Sequence, residues 1–450
     1  MYQIFKGKAI NKLGIIIYKV GNMVKIFIET YGCAANKSDS EIMAGLLREN
    51  GFEIVNSVEN SDLVVLNTCI VKQASFHRIV RRIKELYSSG KPLIVAGCMS
   101  KAEPERVEML APKVSRITPD AIDEIIEVAK ETLQGNKTVA DGGKIEKVLL
   151  PRISFNKLIS IVQISSGCLS ACSFCETRIA RGVLKSYRPS SIVERIKEDV
   201  KNGFKEFWIT SQDNGCYGFD IGTNLAELLN SIVKIDGNFF IRVGMMNPLH
   251  LIKRKYFLKS LIDIFKSEKI FKFIHIPLQS GSNKVLKDMN RNHTTEEFLE
   301  IVNELRESVP DITIETDIIV GYPTESEEDF EKTFETLKTF EPDVVNISRF
   351  FPRPKTPAEK LKQLPINIVN ERSKKIHELV REIALRKNKK YLGKILNVFI
   401  DETGKNGTYI GRTKNYKPVV VKSEENILGK ILSVKIVDVK SNFLIGEIKI

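Results

Sequence analysis

The chain has 450 residues, 42% apolar and 28% charged, enough for about two to four globular domains with ordinary cores. It has no apolar run of about 18 residues, so no helical membrane span is expected; seven cysteines in a long chain suit a reducing cytoplasm and metal ligation better than disulfides. A formal charge of +13 points to a polyanionic partner.

Residues 1–22 place Lys6, Lys8, Lys12 and Lys19 around a short apolar run with no small-residue cleavage site, so a signal peptide is not expected. They read as a leader, either a disordered extension or an early start. From Met23 to 134 one plan recurs three times: an apolar strand, a cysteine just past its end, then a helical pattern. Residues 24–30 lead to Cys33, 63–66 to Cys69, and 93–96 to Cys98. Strands alternating with helices imply a parallel sheet with right-handed crossovers, whose carboxyl-end loops share one edge. A single cysteine after a strand is usually a small buried hydrophobe. Three in the same structural position, 36 and 29 residues apart, read instead as one metal site.

Residues 135–156 lack periodicity and read as a linker. The central region, 157–390, opens with an apolar run at 159–164 and then Gly167-Cys168-Leu169-Ser170-Ala171-Cys172-Ser173-Phe174-Cys175. Thiolates at i, i+4 and i+7 on one loop can converge on a soft metal centre. A structural zinc site wants four ligands, usually in two pairs, and no second pair is present. Three thiolates on a cubane iron–sulfur cluster would leave one iron open to another ligand. Both cysteine trios fit that description, and buried free thiols are the remaining alternative.

The CxxxCxxC spacing after the first strand resembles the signature of radical S-adenosylmethionine (SAM) enzymes. The resemblance implies that the open iron chelates SAM, which is reductively cleaved to a 5′-deoxyadenosyl radical. ETYGCAANKSDSE, VLNTCIVK and VAGCMSKAEPE look like the amino-terminal domain of the methylthiotransferases, and the match extends over nearly all of residues 23–450. It implies two [4Fe-4S] clusters, one on Cys168, Cys172 and Cys175, and an auxiliary one on Cys33, Cys69 and Cys98 that delivers sulfur.

Six strand candidates alternate with helical patterns between residues 160 and 350, which resembles the partial (β/α)6 barrel of the superfamily with its active site at the carboxyl ends of the strands. The resemblance places SAM contacts after strands two, four and five and beside the cluster loop, at Gln212, Gln279, Gly321 and Phe174. Gly321 has its own argument, since a backbone approaching a nucleoside needs a residue without a side chain. Thr324 and Lys355 depart from glycines common in the family. Cys216 belongs to neither trio and reads as a packing residue. His77, His250, His293 and His377 carry no ligand spacing.

Residues 365–394 form a helical pattern rich in Arg and Lys, after which the period changes to two. Five short strands in 391–450 suggest a small OB-like barrel. The string GRTKNYKPV resembles the RNA-binding TRAM module, implying RNA contacts at Arg412, Asn415 and Tyr416.

The fold class expected is α/β: an amino-terminal parallel domain, a partial radical SAM barrel and a small carboxyl-terminal β-barrel. The function implied is methylthiolation at C2 of N6-threonylcarbamoyladenosine in tRNA, beside the anticodon, by a cytoplasmic monomer drawing on an electron donor and a sulfur donor. The TSQDNGCYG loop resembles the archaeal and eukaryotic branch. Rivals are the same reaction on isopentenyladenosine or on a ribosomal protein, and a non-enzymatic RNA-binding iron–sulfur protein.

Overall fold

The computed structural model describes residues 3–5, 8–10, 16–17, 23–71, 73–143 and 146–449. The chain divides into two compact units, the first comprising 1–145 with 150–153 and the second the remainder. Gln3–Phe5, Lys8–Ile10 and Ile16–Ile17 pair antiparallel; the rest of the leader lies outside the described residues.

In the first unit six parallel strands lie in the order Glu53–Val55, Lys25–Thr30, Leu63–Thr68, Leu93–Gly97, Ser115–Ile117 and Val139–Ala140. The two central strands are buried along their whole length, because helices cover both faces of the sheet, and their sequences are accordingly near-continuous apolar runs. The three strands expected from the sequence are the middle of this sheet. Val139–Ala140 adds an edge strand within the stretch read as a linker.

In the second unit Ile159–Gln163, Glu206–Thr210 and Phe240–Val243 pair in parallel, as do Phe273–His275, Thr313–Val320 and Val344–Arg349. A parallel bridge from Ile241 to Ile270 links the two triplets into an open barrel of six strands. Its core runs from Val162 and Ile164 through Phe207, Ile241 and Ile274 to Ile314 and Phe330. Lys355, where the family commonly has glycine, adopts a left-handed φ of 64°, and its N–H donates to Glu359.

The helix Ile366–Lys389 buries Val369, Ile376 and Ile383, one residue every second turn. After it, Ile395–Thr403, Thr408–Arg412, Pro418–Lys422, Leu444–Ile448 and Ile431–Val439 close a barrel around Val398, Ile400, Val419, Val434 and Ile436.

This small barrel seals the amino-terminal ends of the central strands. Lys272 N–H donates to Lys414 O, Asn415 Nδ2 to Asp311 O, and the Tyr416 hydroxyl to Glu206, each partner lying at or just before the start of a central strand. Arg412, Asn415 and Tyr416 thereby correct the expectation of RNA contact. Arg412 Nε and Nη2 are held at 2.9 Å by Asp401 and Glu402. Asn415 is buried, and the Tyr416 ring lies 4.7 Å from Phe271 and 5.1 Å from Phe273. All three serve the seam between barrel and central domain.

Candidate active site

The three-cysteine loop leaves the carboxyl end of the first central strand, opposite the small barrel. Ser165–Ser166 pairs with Lys185–Ser186 and closes the loop's base. Gly167 sits there with φ 80°, and an added Cβ would lie 2.3 Å from Val183 O, so the turn requires glycine. Gln212, expected to touch SAM, accepts from Gly167 N–H at 2.7 Å through Oε1 and fixes this turn.

Other strand-end loops grip the rest of the segment. Asn247 Nδ2 donates to Ser170 Oγ at 2.8 Å, Asn290 Nδ2 to Ala171 O at 2.7 Å, and Ser173 N–H to Met289 O at 3.0 Å. Ser173 Oγ meets the Tyr322 hydroxyl at 2.9 Å, and Arg178 Nη1 donates to Ser170 O at 3.0 Å. A short loop held from so many sides presents its thiols in one arrangement. All three cysteines are partly exposed, and no disulfide joins any of the seven in the chain.

Charge and hydrogen bonding favour sulfur as an anionic ligand here. Ser170 N–H donates to Cys168 Sγ at 3.3 Å, and the Arg291 guanidinium stands 3.5 Å from Cys172 Sγ. The Cys216 thiol donates to Cys168 and, against the opposing effect of burial, lowers its ionisation range; burial raises that of Cys175. Three soft donors on one rigid loop, with no fourth cysteine in it, fit a [4Fe-4S] cluster with one open iron.

Among the remaining residues named for SAM, Phe174 packs with Val285, Met289 and Tyr322 beside the loop. Gln279 has a left-handed φ of 76°, and its buried Oε1 has no hydrogen-bond partner among the described residues, an acceptor left for a ligand. Gly321 needs a correction of reason. Its absent Cβ would lie 2.6 Å from Val369, so the bare backbone there serves packing against the long helix, not approach to a nucleoside.

Asp213, Cys216 and His250 join the site without having been marked as ligands. Asp213 is buried; its Oδ1 accepts Gly215 and Asn247 N–H groups, both at 3.0 Å, while Oδ2 lies 3.1 Å from His250 Nε2. Burial alone would raise the Asp213 carboxyl, but His250 and the backbone donors outweigh it and hold it low. His275 Nε2 and Asp317 Oδ1 pair at 3.1 Å at the ends of strands four and five; burial opposes the charged imidazole, and the carboxylate wins, raising its ionisation range.

In the first unit the second trio follows three neighbouring strands, about 5 Å apart in the sheet. Cys33 opens the helix Ala34–Glu49, Cys69 follows Leu63–Thr68, and Cys98 opens Cys98–Ala102. Asn36 ties their loops together: Nδ2 donates to Tyr31 O at 3.0 Å and to Thr68 O at 2.7 Å, and Oδ1 accepts from Cys98 Sγ at 3.6 Å. Gly32, at φ 121°, lets the Cys33 turn close on Cys69, whose Cβ would lie 2.7 Å from any side chain placed there. Val71 N–H donates to Cys69 Sγ at 3.4 Å. Asn36 lies inside the string ETYGCAANKSDSE, yet only the fold brings it against three loops. Nothing near Arg291 in the sequence marks its role.

Models of three families match the chain: the radical SAM superfamily over 162–337, the uncharacterized protein family UPF0004 over 25–118, and the TRAM domain over 389–449. A Pyrococcus horikoshii protein named "Probable threonylcarbamoyladenosine tRNA methylthiotransferase" is 45% identical over 430 residues, 95% of this chain and 100% of that one. The Drosophila melanogaster "Threonylcarbamoyladenosine tRNA methylthiotransferase" is 37% identical over 435 residues, 94% of this chain and 77% of that one. Among solved structures, the radical SAM methyltransferase TsrM from Kitasatospora setae superposes with TM-score 0.55 at 15% identity, covering 75% of this chain and 77% of that one. The cobalamin-dependent radical enzyme OxsB gives 0.51 at 12%, covering 81% and 56%. At such identities these two speak for the fold alone.

The superfamily works with SAM and a [4Fe-4S] cluster, and Cys168, Cys172 and Cys175 are free thiols on one loop within the matched region. The chain therefore belongs to the radical SAM methylthiotransferase family, in the group whose archaeal and animal members are named threonylcarbamoyladenosine tRNA methylthiotransferases.

Proposed function

We propose that the chain adds a methylthio group to C2 of N6-threonylcarbamoyladenosine in tRNA, in the cytoplasm, as a monomer fed by an electron donor and a sulfur donor. The observation that carries this reading is the second trio. A radical SAM enzyme needs one open-iron cluster, and Cys33, Cys69 and Cys98, gathered by adjacent strands and tied through Asn36, are suited to hold another. The relatives' shared name and their near-full-length likeness support the substrate.

When bound, the loop cluster and SAM supply a radical able to take hydrogen from an unactivated carbon, and the auxiliary cluster supplies sulfur. The chain's own residues prepare the place. Arg291 and the Ser170 N–H favour the anionic sulfurs of the loop. Gln212 and Asn247 hold the loop still, and Gln279 Oε1 and Phe174 offer an acceptor and an apolar face beside it.

With Arg412, Asn415 and Tyr416 engaged in the seam, the cations suited to RNA are the exposed Lys374, Lys375, Arg381, Lys389 and Lys390 along the helix and Lys394 beyond it. They offer phosphate contacts without base readout. The test is nucleoside mass spectrometry of tRNA from cells with and without the gene. The methylthio derivative of threonylcarbamoyladenosine is expected only in its presence; appearance of the isopentenyladenosine derivative instead overturns the substrate.

A further inference from the structure

We propose that Asp213, Cys216 and His250 form a mononuclear site for a divalent metal ion of the zinc class, which Cys168 of the three-cysteine loop turns in to complete, so that the bound ion excludes the cluster. Ligand atoms of Asp213, Cys216 and His250 lie within 4.8 Å of one another. Asp213 Oδ2 is 3.1 Å from His250 Nε2 and 3.8 Å from Cys168 Sγ, and the Cys216 thiol donates to Asp213 O at 3.2 Å. Tetrahedral zinc with bonds of about 2.0–2.3 Å sets its donors about 3.3–3.8 Å apart; the two edges from Asp213 are near that range, and the bound ion draws the remaining donors of the 4.8 Å group and Cys168 inward.

The donors are also aimed. Gly215 and Asn247 N–H groups occupy Asp213 Oδ1 and turn Oδ2 toward the histidine and the cysteine. Asn247 accepts from Leu249 N–H with its own side chain, which sets the start of the short helix Pro248–Ile252 that carries His250. The Phe219 ring meets the imidazole edge-on at 5.6 Å. Asp213 and Cys216 are buried, and two thiolates, an imidazole and a carboxylate suit zinc and disfavour magnesium or calcium. On binding, each thiol releases its proton to solvent and no redox step is needed. The proposal does not depend on which tRNA nucleoside is the substrate.

The probe is Co2+, added anaerobically to the cluster-free full-length chain, with Cys33, Cys69 and Cys98 replaced by Ala in every sample to remove the other thiols. One Co2+ per chain with tetrahedral ligand-field and thiolate charge-transfer absorption is expected. Affinity is expected to survive Cys172→Ala with Cys175→Ala, and to fall at least about tenfold in Cys216→Ala and in His250→Gln. The His250 variant, at a partly exposed ring, keeps the test open if Cys216→Ala folds poorly. As a second readout, bound Zn2+ is expected to block iron uptake at the loop when Cys216 is present and to lose that effect in Cys216→Ala. Affinity unchanged in Cys216→Ala or His250→Gln, or lost with Cys172 and Cys175, overturns the site.

Discussion

Arg291 crosses 119 residues of sequence to set Nη1 3.5 Å from Cys172 Sγ, while Nη2 donates to Pro277 O at 2.9 Å. The guanidinium is buried to 5% exposure, so its charge acts on the loop with little screening. Removing it takes away the one cation seen against a loop sulfur among the described residues. Arg291→Gln is expected to lower the midpoint potential of the loop cluster by about 60 mV, a tenfold change in a one-electron equilibrium. A redox titration followed by electron paramagnetic resonance measures it, and an unchanged potential rejects the role.

Asn36 is a positioning residue for the auxiliary trio. Asn36→Ala is expected to slow or reduce iron retention there, while replacing Cys33, Cys69 and Cys98 together drops total iron from about eight atoms to about four. Both variants should keep 5′-deoxyadenosine release and lose thiolated product. Loss of the nucleoside in step with the product points instead to general misfolding.

Glu206 and Asp401 are fully buried in the seam, facing Arg412 and Tyr416. Burial, then the neighbouring Asp401 charge, pushes Glu206 up to about 8 from the ordinary 4.5. The folded chain thus keeps a proton that the unfolded chain releases, so this group's contribution is fullest below pH 4.5 and is lost as pH rises toward 8. Glu206→Gln is expected to melt higher than the parent, with the gap widening from pH 5 and levelling off above about 8. A constant gap across that range contradicts the assignment.

Gly321→Ala places a methyl into Val369 at a left-handed φ of 78°. A loss of about 2 kcal/mol or more in unfolding free energy is expected, with the KM for SAM little changed. Adding Val369→Ala should recover the steric part. A raised KM at unchanged stability would restore the nucleoside-contact reading.

Lys389→Glu with Lys390→Glu is expected to weaken tRNA binding and flatten the dependence of log affinity on log salt by about two. Arg412→Ala should leave that slope alone and lower the melting temperature, since its partners are Asp401 and Glu402.

What the sequence made legible was whatever is encoded locally. Long apolar runs became buried parallel strands, and the CxxxCxxC spacing lies within one loop, so both could be placed before any coordinates. Glu53–Val55 and Val139–Ala140 are strands only because a sheet edge is beside them; three and two residues carry no period of their own. Arg291, Asn36 and His250 act on groups far away in sequence, and no local pattern encodes that. Tyr416 misled for the converse reason. An aromatic among Arg, Lys and Asn looks the same whether its barrel face meets RNA or, as here, Phe271, Phe273 and Glu206.

Because Tyr416 and its neighbours key the small barrel into the floor of the larger one, the two move as a single block. The outer surface of the small barrel therefore stands off from the cysteine rim by the height of the central strands, about 25 Å for the eight residues of Thr313–Val320. The seam then works as a spacer: the distance between the small barrel's outer surface and the rim is set by the length of the strands, with no hinge between the two barrels to vary it.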